Sequence, residues 1–305
     1  MIRMQKTAYN GWPNCIEIEN PGLRLIVTTD VGPRIIYCGA ADSGFNLFYE
    51  KKEQQGKTDS KEWLIYGGHR LWHSPQAGSR PNQADNGNVA YEIDGGALTL
   101  NPPEEPATRV QKQMLIRMAP DEPRVTVRHR IYNRGLWPVT LAPWALTVMR
   151  EGGTEIFPIP QDKPPDYMPN YAICFWPWTR PNDHRFVLGE RYMTLRQDEQ
   201  DEHWFKIGYR NTEGWGAYLQ KGYMFVKLYP LIPGGEYPDY GSTFETYTDN
   251  YFIELESLGP LKNLEPGDYT EHTEEWYVFS DVPFPASEAE IEEQVTKRIL
   301  GIIHN

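Results

Sequence analysis

Along much of this chain, polar and apolar residues alternate with a period of two. In RVTVRHRIY (124–132), Val125, Val127, His129 and Ile131 fall on one side and charged or hydroxyl residues on the other. That is the signature of a half-buried β-strand. The same reading predicts strands at 23–29, 34–38, 88–93, 97–101, 109–118, 139–149, 191–196, 204–210, 215–220, 223–229, 250–257 and 269–279. Turn formers separate them. Asp94-Gly95-Gly96 reads as a hairpin turn, and Asn133-Arg134-Gly135 and Pro266-Gly267-Asp268 as further turns. Strands do not alternate with helices, which argues against a doubly wound fold.

The helical period emerges clearly at the C-terminal end. Ser287 and Glu290 form a capping box, and Ile291, Val295 and Ile299 then recur every fourth residue. Acidic residues lead this helix and Lys297 and Arg298 trail, as the helix dipole favours. The pattern predicts an all-β protein: one large antiparallel β-supersandwich spanning 1–305 as a single domain, with the helix packed outside the sheets. The polar stretch 51–62 is expected to be an exposed loop. Residues 151–190, rich in proline and aromatics, read as a long excursion from the sheet.

Composition narrows the functional classes. A net charge of -12 disfavours nucleic acid and anionic membranes, because phosphate would be repelled. No run approaches the length of a membrane span and no leader pattern opens the chain, so a cytoplasmic protein is expected. Three widely spaced cysteines make neither a disulfide framework nor a zinc ribbon. Ten Trp, 19 Tyr and 11 Phe are abundant enough to supply both a sheet core and rings that pack on the C–H faces of sugars.

Candidate chemistry gathers in three stretches. In NYFIELES (250–257), alternation sends Ile253 and Leu255 one way and Glu254 and Glu256 the other, their Cα atoms ~7 Å apart. Like charges that close raise one pKa and suit acid–base work, although a solvated strand face gives the same pattern. Asp239 and Glu245 lie in the turn-rich 233–246, with Arg34 and Arg70 as candidate partners. In YGGHRLWHSPQ (66–76), His69 and His73 share one face of either a helix or a strand. Arg70 stands where a zinc protease needs glutamate, so an acid–base site is preferred to a metal, and packing or turn-capping histidines are the plain alternative. Neither a metal nor a cofactor is expected. His129 reads as a core residue, His272 as a surface one, and His184 and His203 as weak candidates.

The segment IELESLGPLKNLEPGDYTEHTEEWYVF resembles the end of aldose 1-epimerases of the galactose mutarotase-like superfamily, through Leu255-Glu256-Ser257 and Leu264 to Tyr269. A bacterial branch of that superfamily resembles it more closely still, through Gly67 to Trp72, Phe225 to Lys227, Tyr237 to Gly241 and Glu254 to Leu261. The resemblance implies a sugar groove on one sheet and anomer interconversion by a glutamate base, here Glu256, and a histidine acid, here His69 or His73. It departs at Trp144, which stands where such enzymes carry a second histidine; an indole N–H only donates. Arg34, Arg70, Trp72, Trp144, Trp176, Asp239, Glu245 and Glu254 are the expected substrate contacts. The expected partner is a mono- or oligosaccharide, with a homodimer left open. The rival readings are a non-catalytic sugar-binding module and an oligosaccharide hydrolase or lyase on the same fold.

Overall fold

The computed structural model describes residues 2–78, 83, 85–162 and 167–303. Its strands are β1 (Arg3–Tyr9), β2 (Trp12–Glu19), β3 (Leu23–Thr28), β4 (Arg34–Ala40), β5 (Gly68–Ser74), β6 (Ala90–Asp94) and β7 (Ala97–Asn101). Next come β8 (Val110–Met118), β9 (Arg124–Asn133), β10 (Val139–Met149), β11 (Thr154–Pro158), β12 (Ile173–Phe175), β13 (Phe186–Leu188) and β14 (Tyr192–Arg196). The last are β15 (Phe205–Tyr209), β16 (Trp215–Gln220), β17 (Tyr223–Leu228), β18 (Phe244–Thr248), β19 (Ile253–Leu258), β20 (Lys262–Leu264) and β21 (Tyr269–Phe279).

They form two antiparallel sheets. One has 11 strands in the order β1-β2-β3-β4-β5-β10-β19-β18-β15-β12, with β20 beside β10. The other has 10, in the order β13-β14-β11-β16-β17-β21-β9-β8-β7-β6. Inward-facing residues of both sheets, among them Leu25, Ile116, Val127, Phe205, Phe244, Leu255 and Trp276, make the main core between them. The C-terminal helix, 288–303, covers the far side of the smaller sheet, burying Ile291, Val295 and Ile299 against Ile156, Ala217, Leu219 and Val226. Its first turn is capped by Ser287, whose hydroxyl accepts the Glu290 N–H. Asp94-Gly95-Gly96 closes the β6–β7 hairpin with both glycines at positive φ, as a type I′ turn requires.

Two expectations need correction. The stretch 151–190 is no simple excursion, since β11, β12 and β13 lie within it. The loop read over 233–246 ends in β18, which sits in the middle of the larger sheet between β19 and β15. β18 lacks an obvious apolar face because its core-side Thr246 donates to the buried Glu155 carboxyl.

At β5, both leading glycines are required. Gly67 and Gly68 have φ of 102° and 72°. A Cβ on Gly67 would lie 1.9 Å from the Tyr49 carbonyl oxygen, and one on Gly68 2.2 Å from that of Ile35. The chain therefore enters β5 pressed against the Tyr49 and Ile35 carbonyls, too close for any side chain at these two positions.

Candidate functional site

The strands β5, β10, β19, β18, β15 and β12 lie side by side in the larger sheet. Period-two alternation turns Leu255, Phe244 and Phe205 into the core and leaves Glu254, Glu256, Glu245 and Lys206 on the outer face. On β5 it turns Arg70 and Trp72 to that same outer face. The 170–180 segment adds Trp176, and the turn before β18 adds Asp239.

Lys206 is the hub. Its Nζ lies 2.7 Å from Glu245 Oε2 and 2.9 Å from Glu256 Oε2. The indole N–H of Trp144 donates to Glu256 Oε2 at 2.6 Å. The ammonium also sits 4.6 Å from the Trp144 ring and 4.9 Å from that of Trp176, within cation–π reach. Glu245 and Glu256 are directly opposed across the β18–β19 ladder. Two buried carboxylates thus share one ammonium. Burial, with Glu256 and Asp239 as like charges, pushes the Glu245 carboxyl well above its ordinary range despite Lys206. Burial works against the charge on Lys206, but the flanking carboxylates win and raise its pKa.

A second group lies one strand pair away. Arg70 Nη2 donates to Glu254 Oε1 at 2.9 Å. The guanidinium stacks 4.5 Å from the Trp72 ring, and Trp72 meets Trp144 edge-on at 5.4 Å. Burial raises the Glu254 carboxyl to about 6; Arg70 opposes that shift and Glu256 reinforces it. Among the described residues, several polar atoms here have no hydrogen-bond partner: Arg70 Nε and Nη1, Trp72 Nε1 and Trp63 Nε1 as donors, and Glu245 Oε1 as acceptor. Buried polar groups normally find partners, so this set is chemically suited to an oxygen-rich ligand.

The histidines do not join this face. His69 is fully buried and points between the sheets, with Nδ1 2.9 Å from Thr147 Oγ1 and Nε2 2.8 Å from His129 Nε2 on β9. His73 shares its side of β5 and is equally buried. Neither lies where the acid role expected of it could reach a ligand beside Glu256. Arg34 also differs from the oxygen clamp expected. Its Nη1 donates to the carbonyls of Ile65 and Gly67 and its Nη2 to Asp85, so it braces the turn into β5. Asp239 accepts from Ser74 Oγ at 3.2 Å, and pairs with neither Arg34 nor Arg70. His272, expected on the surface, is buried and hydrogen-bonds Ser257 at 2.7 Å.

Between the sheets, ligand atoms of His69, His129 and Glu274 lie within 4.8 Å of one another. Their bonding is already accounted for. His129 Nδ1 faces the His272 carbonyl, which can only accept, so His129 Nε2 accepts from His69 and His69 Nδ1 accepts from Thr147. Glu274 is claimed by Lys227 at 2.8 Å, Ser257 and the Trp276 indole. Burial depresses His69 and His129, and takes His272 down to about 3. A buried histidine with a depressed pKa stabilises the fold fully above its unfolded value of 6.5, and that stability is lost as pH falls. In urea titrations between about pH 6 and 3.5, His272→Gln should lower the slope of stability against pH by about 1.4 kcal/mol per unit. An unchanged slope would show that His272 takes up no proton on unfolding.

No family model matches the chain, and no curated protein sequence matches it. Solved structures do. A TPR-domain containing protein from Parabacteroides distasonis superposes with a TM-score of 0.60 at 14% identity, covering 89% of this chain and 48% of the other, so the chain spans about half its length. The Slr1438 protein from Synechocystis gives 0.58 at 12% identity, over 91% of this chain and 100% of that one. A galactose mutarotase-like protein from Lactobacillus casei gives 0.56 at 9% identity, over 87% and 100%. The chain has the galactose mutarotase-like fold. At these identities the likeness extends to the fold alone. Lys206 and Trp63 belong to the candidate site by geometry, and sequence reasoning missed both. In FKIGY, Phe205, Ile207 and Tyr209 are core residues, so Lys206 necessarily faces the other way; that parity was the available signal.

Proposed function

We propose that the outer face of the larger sheet binds a mono- or oligosaccharide, and that the chain acts on it as an aldose 1-epimerase-like isomerase. The observation that carries this is the set of orphaned buried donors on Arg70, Trp72 and Trp63, facing indole rings and paired carboxylates. Rings supply the apolar contact for sugar C–H faces, and the donors and carboxylates suit hydroxyls. The net charge of -12 also fits a neutral ligand better than a phosphorylated one.

In this scheme Glu256 takes the proton from the anomeric hydroxyl, and Glu254, near 6, gives one to the ring oxygen. The C1–O bond of the ring breaks as the C1 carbonyl forms. Rotation about C1–C2 and the reverse transfers close the ring on the other face. Glu254 takes the acid role that was assigned to histidine. An acid of this kind must be protonated, so the rate should fall as pH rises through about 6, and Glu254→Gln should remove that inflection. The direct test is exchange NMR of anomers together with a thermal-shift panel of sugars. If no sugar raises the melting temperature, the binding reading fails.

One observation favours a second reading, sugar binding without turnover. Glu256 already accepts from Trp144 and Lys206, which leaves its oxygens less free to take a proton. Sugar-dependent stabilisation with anomer exchange no faster than in buffer would select that reading.

A further inference from the structure

Beyond Lys206 the aromatic surface continues. Trp178 and Trp204 are 45% and 56% exposed, unusual for indoles, with ring centroids 6.1 Å apart at 89°. Both are held by fixed backbone. Thr179 Oγ1 donates to the Lys206 carbonyl at 2.7 Å and accepts the Lys206 N–H at 2.9 Å, which pins the chain next to Trp178 against β15. Trp204 stands two residues before Lys206. The loop leading to it is held by the buried Arg185, which pairs with Asp183 at 2.8 Å and donates to the His203 carbonyl at 2.8 Å. Near them in sequence, Arg180 bonds His203 Nε2, and His203 Nδ1 lies 2.8 Å from Asp201 Oδ1.

Two perpendicular indoles form an apolar corner about the width of one sugar ring. The nearby Arg180 guanidinium and Asp201 carboxylate carry donors and acceptors beyond those His203 uses, which suits hydroxyls. A stable protein interface would bury on the order of 800 Å² of surface from each side, far more than two indoles supply. Counting strands, β5 to β12 spans about 24 Å at ~4.8 Å per strand. That is several sugar units rather than one.

We propose that Trp178 and Trp204 form a second, distal sugar subsite, so that the ligand class is an oligosaccharide lying across the sheet from Trp72 towards β12. This rests on the sugar-binding reading of the central face. The test is calorimetric titration of galactose and glucose against their linear oligosaccharides of increasing length, with the wild-type chain and a Trp178→Ala/Trp204→Ala variant. The wild type should bind the longer chains about tenfold more tightly than the monosaccharide. The double variant should lose that gain and keep monosaccharide affinity, and Trp178→Phe/Trp204→Phe should recover most of it. A length gain that survives in the alanine variant overturns the subsite, as does a wild type that binds monosaccharide with no gain from length. If no sugar of any length binds, the reading of the central face fails and the subsite with it. The three results are distinguishable in one series.

Discussion

Replacing Glu256 with glutamine should lower the rate of anomer interconversion about 10²- to 10⁴-fold and leave the fold intact. The first half follows from the proposed role of Glu256, because glutamine cannot take a proton from the anomeric hydroxyl. The second half follows from charge. Glu256 and Glu245 share a single ammonium, Lys206, with Nζ 2.9 Å and 2.7 Å from their nearer oxygens. Neutralising one carboxylate leaves Lys206 balanced by the other, and the amide keeps an oxygen for the Trp144 indole N–H. Exchange NMR reads the rate, and circular dichroism with thermal melting reads the fold. Exchange at the wild-type rate in Glu256→Gln would remove Glu256 from the chemistry.

The opposite member of the same cluster should behave in the opposite way. Lys206→Met should cost about 3–5 kcal/mol at neutral pH, because removing the cation leaves two buried, strand-paired carboxylates without a counter-charge. The sign with pH follows from linkage. Burial already raises the Glu245 carboxyl, and loss of Lys206 raises it further, so the folded variant binds protons that the unfolded chain does not. Its stability therefore climbs as pH falls from neutrality towards the unfolded carboxylate value of about 4.3, and the deficit narrows. Adding Glu256→Gln to Lys206→Met should return part of the loss. Urea unfolding at pH 7 and at pH 5 measures both effects. A Lys206→Met variant within about 1 kcal/mol of wild type would show that the cluster is solvated well enough to do without its cation.

These two variants separate what a single constellation does for chemistry and for the fold. The ladder places Glu245 and Glu256 opposite each other regardless of any ligand. Lys206 makes that placement tolerable. Whatever binds must work within a site whose strongest charges are already committed to one another. This is why the orphaned donors on Arg70, Trp72 and Trp63 carry more information about a ligand than the carboxylates do.

Much of the architecture was legible in the order of residues. The alternation in 124–132, 139–149, 250–257 and 269–279 reappears as β9, β10, β19 and β21, and the capped stripe Ile291, Val295, Ile299 as the C-terminal helix. Local geometry suffices for such elements, because a side chain's face depends only on its parity within the strand. The same parity put Glu254 and Glu256 together on the face opposite Leu255. It also put His69 and His73 on one face, but with helix and strand both open the sequence reading gathered them at one site with Arg70 and Trp72, which the strand places on the other side.

Which side of β5 meets the core was beyond that reasoning. GHRLWHS is buried on both faces, so no hydrophobic pattern marks one of them as inner. The choice is made by partners far away in sequence: Thr147 and His129 receive His69, while Glu254 receives Arg70. For the same reason His272 looked like a surface residue. Its acidic neighbour Glu274 is neutralised inside the molecule by Lys227, from a strand more than forty residues earlier. Period and turn chemistry, being local, were determined by the sequence alone. The facing of buried polar strands and the pairing of buried charges depend on desolvation and on counter-charges brought from distant strands, and only the tertiary structure decided those.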